Sequence, residues 1–120
     1  MTHELIRNLQ QKHVAAWNEK DPASRLALLT EIYDARIRMH DKDFTLTGIG
    51  AISDFIGKLI ADDPNYSFAA AKDMDFTQNG ARLYGKIVVG PKPDTFRSMD
   101  FFILDGSKVI ELYVFMDLEA

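Results

Sequence analysis

The 120-residue chain contains no cysteine. Disulfide staples, thiolate metal sites and a thiol nucleophile are therefore excluded. A reducing compartment is compatible, so the expected location is cytoplasmic. The three histidines, His3, His13 and His40, fall at spacings that make no zinc site, so no metal is expected. No glycine-rich loop follows a strand pattern to cradle a phosphate. None of Ser53, Ser67, Ser98 and Ser107 occupies the glycine-flanked turn of a nucleophilic serine. No apolar run is long enough to cross a bilayer, and Met1 to Leu9 is interrupted by His3, Glu4 and Arg7, unlike the apolar core of a secretion signal. Basic charge is scarce as well. Fourteen lysines and arginines against 18 acids give a net charge of −4, with the cations scattered, which argues against nucleic acid and membrane as partners. A small neutral or hydrophobic molecule fits better.

What the chain does have is apolar material, 47% of its residues, enough for one core and one domain spanning residues 1–120. Leu5, Ile6, Leu9, Val14, Ala16 and Trp17 recur at helical spacing, and His13 falls within their stripe. Asp21 before Pro22 is an N-cap followed by proline at the first helical position, which predicts a second helix through Leu29. The period then changes to two. Tyr33, Ala35, Ile37 and Met39 alternate with Asp34, Arg36, Arg38 and His40, and Asp41 continues the apolar parity. A short strand or strand-like turn over Phe44 to Thr47 and a third helix through Ile52, Phe55, Ile56, Leu59 and Ile60 follow. Tyr66 to Phe76, Ala81 to Val89, Phe96 to Leu104 and Val109 to Met116 read as strands, separated by turn sequences such as Asn79-Gly80 and Asp105-Gly106. Helices first and hairpins afterwards predict the α+β class, an antiparallel sheet with helices on one face.

Three polar residues interrupt apolar faces. Asp100 shares a strand face with Phe96, Ser98, Phe102 and Leu104, where lost hydration favours the neutral acid, a form that can donate a hydrogen bond. A carboxylate satisfied at a sheet edge is an equal reading. His13 points from a leucine-rich stripe toward the sheet and reads more simply as a satisfied core histidine. Asp41, taken alone, reads slightly more readily as a turn residue before Lys42 and Asp43. The other face of the last hairpin carries Met99, Phe101, Ile103, Tyr113 and Phe115, so both faces are apolar and a homodimer through this outer face is expected.

Three segments carry a resemblance: residues 13–21 (HVAAWNEKD), residues 48–55 (GIGAISDF) and residues 100–106 (DFFILDG). With them the chain resembles the nuclear transport factor 2-like superfamily over nearly its whole length, in particular the SnoaL-like and ketosteroid isomerase-like members. The resemblance implies a cone-shaped, strongly bent sheet closed by three helices, a ligand cavity within the cone, and dimerisation through the sheet. It puts His13 and Asp100 at the isomerase's oxyanion-binding positions and Asp41 at its proton-shuttling one, with Asp100 held protonated. Ile56 stands where the isomerase carries a further tyrosine, and His13 replaces another, which counts against steroid isomerisation. Ser98 stands where the epoxide hydrolases of this fold carry an arginine.

Two functions follow. One is a cofactor-independent isomerase or cyclase acting on a small carbonyl compound by acid-base chemistry through Asp41, Asp100 and His13. The other is a noncatalytic binding or interaction module, since fold does not determine function. In either, the expected pocket walls are Trp17, Phe55, Phe68, Phe102, Leu112 and Met116.

Overall fold

The structure, a computed structural model, describes residues 1–117, with the side chains of 92–95 and 117 outside the description. Thr2 caps helix α1 (His3–Ala16), its hydroxyl accepting the Leu5 N–H at 3.1 Å, and Ile6, Leu9, His13 and Ala16 form its buried stripe. Asp21 caps helix α2 (Pro22–Ile32) by accepting the Ser24 N–H at 2.9 Å. Tyr33 ends α2 and begins strand β1 (Tyr33–His40) without an intervening loop. Then come β2 (Thr45–Thr47), α3 (Ile49–Asp62), β3 (Ser67–Ala70), β4 (Asp75–Thr77), β5 (Gly80–Val89), β6 (Lys92–Asp105) and β7 (Lys108–Asp117).

The strands form one open sheet in the order β2-β1-β7-β6-β5-β3, with β4 also on β5. Two details differ from the sequence reading. Tyr66 to Phe76 is not one strand: the chain leaves β5 after the Ala71 N–H bonds Tyr84 O, turns Met74 into the core and rejoins β5 as β4. The sheet is also not antiparallel throughout, because β1 pairs in parallel with β7, the last strand. The register shifts within the β1–β7, β5–β6 and β6–β7 ladders. Irregularities of this kind increase local twist and let a sheet curve.

The core fills the concave side: Leu29, Ile52 and Ile56 from the helices and Ile37, Leu83, Phe102 and Leu112 from the sheet are fully buried between the two layers. Two polar clamps hold the helical layer, one to the sheet and one within the layer itself. Asn18, just after α1, donates to Phe68 O at 2.7 Å and accepts the Phe68 N–H at 2.9 Å, and so pairs with β3 as a further strand would. Arg25 is buried, donating to Ser53 Oγ on α3 at 2.9 Å and to Glu19 O at 2.8 Å.

Candidate functional site

Where the concave face of the sheet is not filled by the core, it encloses a cavity of about 200 Å³. Asp41, just beyond β1, and Asp100, in the middle of β6, both line it. The alternation that placed each on an inward parity therefore brings two carboxylates to one space from separate strands. Around them the walls are apolar and aromatic. Of the expected wall residues, Trp17, Phe55, Phe68 and Met116 line the cavity. Phe102 and Leu112 do not: both are fully buried in the core behind it. Their inward parity was right, but they sit deeper in the sheet, where the helices already cover them. Met39, Leu59, Tyr66, Ile87, Val89, Phe96 and Val114 complete the lining. Strand parity alone could have nominated Met39, Phe96 and Val114; Tyr66 lies in a turn where no periodicity applies.

Asp100 is 5% exposed, and His13, at 1%, stands behind it rather than in the cavity wall. The His13 Nε2 to Asp100 Oδ2 distance is 3.6 Å, close enough for electrostatic attraction and longer than a hydrogen bond. The orientation of the imidazole is set from its other side. Trp17 Nε1 donates to Tyr33 Oη at 3.2 Å, and Tyr33 Oη lies 3.0 Å from His13 Nδ1. Tyr33 thus holds the ring by Nδ1 and leaves Nε2 facing Asp100. Burial pushes the Tyr33 hydroxyl pKa well up, so the phenol keeps its proton. The His13 ring also packs edge-on against Phe102, with centroids 4.9 Å apart. His13 thus meets its core reading, a satisfied histidine, and contacts Asp100 as well.

Asp41 is held differently. Its N–H bonds Phe44 O at 2.9 Å and its Oδ1 accepts the Asp43 N–H at 3.3 Å, so it is the turn residue and a cavity residue at once. Its second carboxylate oxygen has no hydrogen bond among the described residues. Ser98, two residues before Asp100, is buried with no partner for its Oγ among them. It lies outside the lining, where Gly85 leaves room for it: a Cβ on Gly85 would stand 2.6 Å from Ser98 Oγ and 2.7 Å from the Phe68 ring. Among the described residues no three acidic or histidine groups are placed to share a metal ion, and no helix is long and apolar enough to cross a membrane.

No protein-family model matches the chain, and no curated protein matches it. Solved structures do. A proposed isomerase of the SnoaL-like family from Agrobacterium tumefaciens superposes with a TM-score of 0.84 at 23% identity, covering 95% of this chain and 98% of that one. A proposed SnoaL-like polyketide cyclase from Jannaschia sp. CCS1 gives 0.71 at 15%, covering 98% and 91%. A proposed ketosteroid isomerase from Kribbella flavida gives 0.73 at 14%, covering 98% and 80%. At these identities the likeness concerns the fold alone, a nuclear transport factor 2-like one with three helices and a strongly curved, open sheet.

Proposed function

We propose that this cavity takes a small, neutral, hydrophobic carbonyl compound and that Asp41 and Asp100 move a proton on it without a cofactor. The observation that carries the reading is the pair of carboxylates lining one apolar cavity. One carboxylate must take a proton from carbon next to the carbonyl, and the other must supply a hydrogen bond to the oxygen where charge develops. Asp41, the more open of the two and with a free oxygen, suits the base. It accepts the carbon-bound proton as the electron pair moves toward the carbonyl oxygen, then returns the proton to a second carbon. Asp100, carrying a proton, donates to that oxygen, with His13 positioning it from behind. The solved proteins proposed as isomerases and a cyclase on this fold support the same class of chemistry. The absence of cysteine fits work in the cytoplasm.

Exchange measures this step without knowledge of the natural substrate. In heavy water, the chain should speed deuterium uptake next to the carbonyl of cyclohex-2-enone, followed by NMR. Asp41→Asn should lower that rate by about a hundredfold or more, and Asp100→Asn should also lower it. Equal rates for all three proteins would reject the catalytic reading. A noncatalytic binder is the second reading, favoured by the way the Trp17 N–H, the Tyr33 hydroxyl and His13 Nδ1 satisfy one another and not a ligand. Binding of the enone without exchange would select it.

A further inference from the structure

Stabilising a charged oxygen draws on donors aimed at it, and the donors among the described residues that line this cavity can be counted. His13, the expected partner of Asp100, does not line it, and its Nε2 faces the carboxylate. The indole N–H of Trp17 is given to Tyr33. Asp41 serves as base in the proposed chemistry. Tyr66 remains: it lines the same cavity as both carboxylates, and its hydroxyl has no hydrogen-bond partner among the described residues. We propose that the Tyr66 hydroxyl is the second hydrogen-bond donor to the oxygen of the bound ligand, filling the role that His13 does not reach. This rests on the reading of the cavity as a site for an oxygen-bearing ligand.

The surroundings of Tyr66 hold it there. The turn from α3 into β3 is organised by Asp63, whose backbone carbonyl accepts the Tyr66 N–H at 3.0 Å and whose Oδ1 accepts the Asn65 N–H at 2.9 Å. The other oxygen of the same carboxylate accepts the Gly90 N–H at 2.6 Å, tying the turn to the end of β5, next to the cavity residue Val89. Two residues later Phe68 is gripped by Asn18. Tyr66 is thereby carried between two fixed points, which limits the ordering cost of using its hydroxyl on a ligand. Burial pushes the Tyr66 pKa up, so the group stays a phenol and a donor through neutral pH.

Phenol and toluene test this as a matched pair, equal in shape and differing in the one oxygen that Tyr66 would meet. Binding of each to the unaltered chain and to Tyr66→Phe is read by ligand-observed NMR, with melting followed by circular dichroism. The expected result is a phenol affinity lower by about three- to tenfold in the variant, with toluene affinity and melting unchanged. Equal phenol affinity in the two proteins overturns the role of Tyr66 and leaves the cavity reading standing. Equal loss of phenol and toluene also overturns it, since a packing defect would act on both. Failure of the unaltered chain to bind phenol overturns the cavity reading together with this inference.

Discussion

Tyr33 shows how much one side chain can organise. It ends α2, opens β1, receives the Trp17 N–H and orients His13, all while buried. A phenol in that position cannot ionise without leaving a charge in an apolar interior, which is why its pKa is raised. The consequence for stability has a definite sign. A raised folded-state pKa gives a contribution fully present below the ordinary tyrosine value of about 10 and progressively lost above it, as the unfolded chain ionises and the folded one does not. Tyr33→Phe removes this linkage and also the two hydrogen bonds. At neutral pH the variant should be less stable by about 1–3 kcal/mol, because the Trp17 N–H and His13 Nδ1 are left buried and unpaired. Above roughly pH 10 the gap should narrow by up to about 1.4 kcal/mol per pH unit. Urea unfolding at a series of pH values from neutral to strongly alkaline checks both parts, and a gap independent of pH would show that Tyr33 does not ionise on unfolding.

The elements were legible to the extent that their signals are local. The Asp21-Pro22 cap, the stripe of α1 and the alternation of β1 all sit within a few residues of the structure they specify. The pairing of β1 with β7 was not legible, because nothing within β1 states which strand it will meet. The side chains that fix this join come from opposite ends of the chain. Glu111 on β7 accepts hydrogen bonds from Arg38 and shares one with His40, both on β1, and His40 stacks on Tyr113 with centroids 4.5 Å apart. Burial works to raise the Glu111 carboxyl pKa, but the hydrogen bonds from His40 and Arg38 outweigh it and hold the value below the usual range. A depressed folded-state pKa contributes stability above the unfolded value, about 4.3 for glutamate, and loses it as pH falls through the folded one. Glu111→Gln should therefore lower the melting temperature at neutral pH and make little difference once the medium is acid enough to protonate the glutamate. Thermal scans of the two proteins across the acid range would reveal parallel curves if the join owed nothing to this charge.

At the scale of the whole molecule, the site emerges from strands that the sequence keeps far apart, and this explains what could be read of it. Strand parity placed Asp41 and Asp100 inward, and the sheet's curvature brought them to one cavity. Parity could not say how deep a side chain lies, so Phe102 and Leu112 went to the core and His13 to the layer behind Asp100. The same alternation leaves an apolar patch on the convex face, across β6 and the later part of β7. Tyr113 is 37% and Phe115 is 56% exposed there, while Met99, Phe101 and Ile103 are only half-buried on the same face of β6. The three helices lie on the concave side, so among the described residues no helix covers this surface, and we propose that a second copy presenting the same apolar face does. The central position of β6 and β7 in the strand order gives such a pairing a broad base. We therefore expect a homodimer through the convex face. Phe115→Glu, which alters an exposed side chain and no core contact, should convert it to a folded monomer, read by analytical ultracentrifugation at micromolar concentration with circular dichroism as the control for folding. A monomer before any substitution would rule this interface out, and retention of the dimer in the variant would move it to another surface.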